Sequence, residues 1–175
     1  MHPAQYDFVS SLKSKYLNKF QNSKILEIGS LDVNGSIRPI FENCDFTGID
    51  IGPGLGVDIV CEGQKFSGED NYYDVVISCE CFEHNPFWLE TFFNMWRMCK
   101  HDGLVIFTCA TTGREPHGLS LHTPAASPLT VEKGWNYYRN LTPDDFSTPL
   151  NLNYFFKKYD FSILGTDLRF YGLKS

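Results

Sequence analysis

Four short apolar runs restrict the fold more than any other feature of this chain. They are Ile25-Leu26-Glu27-Ile28, Phe46 to Ile51, Asp74 to Ser78 and Leu104 to Cys109. Each is short and mainly apolar, with helical segments between most of them. That is the mark of strands buried on both faces, as in a parallel sheet with helices on either side. Val57 to Val60 reads as a further short strand. Phe161 to Leu164 and Leu168 to Leu173 are joined only by Gly165-Thr166-Asp167. A parallel crossover needs a dozen or more residues, so this last pair must be an antiparallel hairpin at one sheet edge. The expectation is one α/β domain over 1–175, doubly wound, with a mostly parallel seven-stranded sheet and an antiparallel C-terminal hairpin.

The segments between the runs supply the helices. Phe8, Leu12, Tyr16 and Phe20 fall at helical spacing, so a helical N-terminal extension is expected within 1–22. Ser36 can cap a short helix over 37–42. Asn85 is placed to cap a helix with Pro86 at its first position and Gly103 as its stop. Thr142-Pro143 starts another helix, or a pair of short ones, to about residue 157. Residues 110–141 are rich in Gly, Pro, His and Ser and too long for an ordinary connection, so they read as a lid-like loop.

Charge and composition narrow the partners. The net charge is −6 and no basic run appears, which disfavours a nucleic-acid substrate. No apolar run reaches the roughly 20 residues of a membrane span, and the N-terminus lacks a secretion-signal core. The six cysteines then read as reduced, mostly buried thiols of a cytoplasmic protein. The fifteen Phe and nine Tyr imply a wide aromatic core.

Ligands of open α/β sheets bind beyond the carboxyl ends of the strands. Here those ends are Gly29, Asp50, the Cys61-Glu62-Gly63 corner and Ser78-Cys79-Glu80. Asp50 lies 21 residues after Gly29, where a carboxylate can accept hydrogen bonds from ribose hydroxyls. A dinucleotide needs a Gly-x-Gly-x-x-Gly turn, but Leu31 and Asn34 occupy its second and third glycine positions. S-adenosylmethionine carries no phosphate and tolerates a loop rich in side chains. It is therefore the favoured ligand.

In these segments the chain resembles the class I S-adenosylmethionine-dependent methyltransferases, of the group called type 11. The resemblance rests on LEIGSLDVNGS (26–36), TGIDIGPGLGVDIV (47–60), YYDVVISCECFEHNP (72–86) and MCKHDGLVIFTC (98–109). It implies a Rossmann-like fold and S-adenosylmethionine as cofactor. By the same resemblance Glu27, Gly29 and Ser30 flank the methionine end, and Asp50 with Ile51 holds the ribose. Glu62 or Asp58 meets the adenine amino group, with Gly63 near the ring. Ser78, Cys79 and Glu80 lie by the sulfonium. Leu31 and Glu62 depart from the family's usual Gly and Asp.

Methyl transfer to a protonated oxygen or nitrogen needs a base near neutral pH, and histidine suits that task. His84 and His117 are the candidates, with Glu80 behind them. Cys79, Cys81 and His84 invite a metal reading, but no fourth ligand completes a tetrahedron and no metal is expected. The leading expectation is methyl transfer to a small-molecule acceptor. A nicotinamide-dependent oxidoreductase and an inactive cofactor-binding module stand as alternatives.

Overall fold

A computed structural model describes residues 3–175. Residues 1 and 2 of the expected N-terminal extension lie outside the described residues. The strands are β1 (Lys24–Ile28), β2 (Asp45–Asp50), β3 (Ile59–Val60), β4 (Tyr73–Cys79), β5 (Cys99–Ala110), β6 (Phe156–Leu164) and β7 (Asp167–Lys174). They form one sheet in the order β3-β2-β1-β4-β5-β7-β6. β1 to β5 are mutually parallel, and β7 runs antiparallel to both β5 and β6. The expected Rossmann-like α/β sheet with a C-terminal hairpin is the one observed.

Both faces of the sheet are covered, and successive residues on each strand serve opposite sides. Ile25, Val75, Ile77, Leu104 and Ile106 pack under Val9 and Leu12 of α1 (Pro3–Lys15), together with Phe20, Ile37 and Ile40. Leu26, Ile28, Val76, Val105 and Phe107 face the other way, against Phe92 and Met95 of α2 (Trp88–Met98). That second core is aromatic. Phe146 of α4 (Pro143–Ser147) is fully buried and stacks on Phe107, with Phe92 and Trp88 edge-on to it. α3 (Pro128–Glu132) lies in the 110–141 segment, and α5 (Leu152–Phe155) leads into β6.

Several boundaries differ from the expectation. The 37–42 helix is only a 3₁₀ turn, Arg38–Ile40. Ser36 Oγ accepts from the Arg38 N–H at 3.1 Å, which closes a turn but starts no helix. α2 begins at Trp88, because Asn85 Oδ1 binds the Phe87 N–H at 2.8 Å while Asn85 Nδ2 reaches Thr91. Asn85 therefore shapes the turn before the helix rather than capping it. α2 ends at Met98, and Gly103 falls inside β5, where the register shifts between Tyr73 and Val75 of β4. β3 is shorter than expected, and β6 starts at Phe156 rather than Phe161. All six cysteines are free, two of them buried and four half-buried.

Candidate active site

The parallel strands end along one side of the sheet, and a cleft of ≈ 370 Å³ opens there. Clefts of roughly 300–1,000 Å³ suit small-molecule ligands. β1 ends at Gly29, whose φ of +79° a side chain would resist. A Cβ there would also stand 2.7 Å from that of Cys81. The loop beyond is held by Asp50 at the end of β2. Asp50 Oδ2 accepts from the Leu31 N–H (2.9 Å) and Oδ1 from the Ile51 N–H (2.8 Å). Bonds to a charged acceptor contribute about 1.5–3 kcal/mol each, so Asp50 shapes the cleft besides lining it. Burial raises its carboxyl above the usual range, against the pull of these two amides.

Glu27 is the most perturbed acid on this wall. It is buried on β1 and lines the cleft, and its Oε2 has no hydrogen-bond partner. Arg38 Nε stands 3.9 Å away, too far to bond, and is itself unpartnered. Desolvation outweighs that distant cation, and Asp50, Asp32 and Asp58 add like charge. Together they push Glu27 up to about 8. Arg38 is held elsewhere: its Nη2 donates to Asp58 (2.8 Å), and Asp58 also accepts from the Gly48 N–H (2.6 Å).

The other end of the cleft is built from β4, the turn after it and the 110–141 segment. Glu80 adopts a left-handed φ of 54°, a strain found most often at functional positions. Thr108 Oγ1 donates to its Oε1 at 2.9 Å. Arg114 reaches into this corner, bonding Asp167 and lying 3.9 Å from Glu80. His84 is buried on the 3₁₀ turn Phe82–His84, and His117 comes from the long loop. Their rings meet edge-on at 4.9 Å, and Tyr138 contacts both. Burial lowers His84 to about 3, with His117 adding to the effect, so its imidazole is neutral at physiological pH.

Residues 26–107 match the family model of the methyltransferase domain. This match, with methyltransferases among the structural neighbours, supports the class I S-adenosylmethionine-dependent methyltransferase family. No curated protein sequence matches it. Solved structures match the fold at low identity. The 1,6-didemethyltoxoflavin-N1-methyltransferase of Burkholderia thailandensis, with 1,6-didemethyltoxoflavin and S-adenosylhomocysteine bound, is 13% identical with a TM-score of 0.65. That match covers 97% of this chain and 78% of the other. The PH0226 protein of Pyrococcus horikoshii is 18% identical with a TM-score of 0.62, over 98% and 91% of the two chains. Phosphoethanolamine N-methyltransferase 2 of Haemonchus contortus, in complex with S-adenosyl-L-methionine, is 16% identical with a TM-score of 0.56. Here the match covers 87% of this chain and 38% of that one. The chain spans about half or less of the length of several such methyltransferases.

Glu27, Gly29, Ser30, Asp50, Ile51, Gly63, Cys79, Glu80, His84 and His117 all border this cleft. Ser78 and Glu62 do not. Ser78 is fully buried, and its Oγ donates to the Ile28 carbonyl at 2.8 Å, tying β4 to β1. Glu62 is bridged by Lys65 (2.8 Å) and by Lys133 of the distant loop (3.1 Å), and these hold its carboxyl below the usual range. Asp58 is committed to Arg38 and Gly48. Arg114 and Trp135, which the long loop supplies, do line the cleft. Sequence reasoning missed Leu129 and Thr130 of its lining, and Arg38 and Glu83 behind it. Glu83 had a readable signal, as an acid set between Phe82 and His84 in the quoted CECFEH run.

Proposed function

We propose that this protein transfers a methyl group from S-adenosylmethionine to an oxygen or nitrogen of a small-molecule acceptor. One observation carries the reading: a buried carboxylate with an unpartnered oxygen, Glu27, faces the cleft one strand away from Asp50. A cationic amino-acid end satisfies Glu27, and ribose hydroxyls suit the lone pairs that Asp50 keeps free beyond its two amide bonds. Ser30 Oγ, buried and unpartnered beside them, offers a further polar contact. Gly29 and Ile51 lie against the same ligand, Gly63 and the Cys79-Glu80 backbone border it further along, and Glu62 is at most an indirect neighbour. When bound, S-adenosylmethionine supplies a methyl group on a positively charged sulfur.

The chain's own residues then position and dry the acceptor. α3 and Trp135 cover the cleft opposite the strand ends. His117 borders the cleft with Nε2 free and is the candidate general base. Burial holds His84 at about 3 and makes it a poor base near neutral pH, against the sequence expectation. Arg114 and Glu80 are the charged groups nearby. The Burkholderia and Haemonchus neighbours are named as N-methyltransferases, which supports a nitrogen acceptor, while CurJ of the same fold is named as a carbon methyltransferase. A cleft with little positive charge at its rim supports an uncharged or cationic small molecule over a nucleic acid. The six free cysteines support a cytoplasmic setting. Among the described residues no helix is long and apolar enough to cross a membrane.

The reading is tested by incubating the protein with S-adenosylmethionine and a panel of small hydroxyl and amine compounds, and quantifying S-adenosylhomocysteine. Acceptor-dependent production that falls in His117→Ala supports it. A protein that binds the cofactor yet never turns over on any fraction of a cell's small molecules counts against an enzyme.

A further inference from the structure

The acceptor end of the cleft holds more acid than the described ion pairs neutralise. Glu80, Glu83 and Asp167 gather there, and Arg114 is the guanidinium that acts among them. Glu83 is fully buried, and neither of its carboxylate oxygens has a hydrogen-bond partner. His84, 4% exposed, likewise leaves Nδ1 without a partner. Unpaired buried polar atoms of this kind each cost about 1–3 kcal/mol, and three of them sit side by side.

His117 shows how the third group is set. Its Nδ1 lies 3.0 Å from the Glu115 carbonyl oxygen. A carbonyl can only accept, so Nδ1 carries the proton and the Nε2 lone pair is free. Metal-bound histidines are commonly oriented this way, with the second ring nitrogen donating to a backbone carbonyl. One donor atom from each of Glu83, His84 and His117 lies within 4.8 Å of the others. Two donors about 2.1 Å from a shared ion are at most about 4.2 Å apart, so side-chain shifts of about an ångström close the site. Gly118 lets the loop pass against the His84 ring, since a Cβ there would meet His84 Nδ1 at 3.0 Å.

We infer that Glu83, His84 and His117 form a binding site for a divalent first-row transition cation at the acceptor end of the cleft. Two imidazoles and one carboxylate suit zinc, cobalt, nickel or ferrous iron better than magnesium or calcium. Both histidines border the cleft, so the open coordination positions face it. The cation's use rests on the methyl-transfer reading: it would fix an acceptor oxygen or nitrogen and ease loss of that atom's proton to solvent. The site itself rests on geometry alone.

The test uses untagged protein stripped with a chelator and dialysed against zinc or cobalt, without S-adenosylmethionine. Metal content and the cobalt visible spectrum are read, with S-adenosylhomocysteine affinity measured separately. About one equivalent is expected, with at least roughly 100-fold weaker binding in His117→Ala and in Glu83→Gln. His117 is half-exposed on a loop, so its variant keeps the test valid if Glu83→Gln fails to fold. Sub-stoichiometric metal in the wild type, or equal binding in a folded variant, overturns the inference. Metal binding that persists while S-adenosylhomocysteine fails to bind upholds the site and defeats only the methyl-transfer reading.

Discussion

Glu27 gives a prediction whose size follows from its surroundings. Its carboxyl is raised from 4.5 to about 8 by desolvation, with Arg38 too distant to offset the effect. A shift of about 3.5 units corresponds to about 5 kcal/mol between the two protonation states at about 1.36 kcal/mol per unit. The folded protein therefore keeps this proton where the unfolded chain has released it. The stabilising contribution is complete below about pH 4.5 and is lost as pH rises to about 8. Glu27→Gln should flatten that slope in urea melts. Binding should show the reverse sign. If the ammonium of S-adenosylhomocysteine meets Glu27, the ionised acid is the binding form. Affinity should then rise roughly tenfold per unit, or about 100-fold between about pH 5.5 and 7.5. Calorimetry in buffers of different ionisation enthalpy should show release of about one proton. Affinity that is flat over this window, no proton release, and a Glu27→Gln variant that binds like the wild type would together refute the reasoning.

Two further substitutions test the frame. Gly29→Ala forces a side chain into a φ of +79° and against Cys81. It should cost about 1–3 kcal/mol of stability and weaken S-adenosylhomocysteine binding, and an unchanged Tm with unchanged affinity would sink it. Phe146→Ala empties a site 4.6 Å from Phe107 and 5.3 Å from Phe92, centroid to centroid. About 3–5 kcal/mol should be lost, read as a lower urea midpoint, and a loss below about 1 kcal/mol would contradict the packing.

Strand content was legible because burial on two faces leaves short, mainly apolar runs, and the hairpin was legible because its connection is short. The exact helix starts were not. Asn85 looks like a cap in sequence, but its two polar atoms are taken by Phe87 and Thr91, which delays α2 to Trp88. β6 was cut short because Lys157 and Lys158 interrupt its apolar pattern, although Phe156 already pairs with Lys174.

At the site, strand-end residues were readable from position: Gly29, Asp50 and Glu80 had to share one side of a parallel sheet. The partners that alter their roles were not. Lys133 reaches Glu62 from 71 residues away, and Asp58 turns back to Arg38. The pairing of His84 with His117 depends on how a loop of more than thirty residues folds over the sheet, and no local periodicity encodes that path.

The most direct test of the central claim is calorimetric titration of the purified protein with S-adenosylmethionine, S-adenosylhomocysteine and NAD. The account predicts one-to-one binding of the first two and none of NAD. Binding of NAD alone, or of no nucleotide by a folded protein, would contradict it.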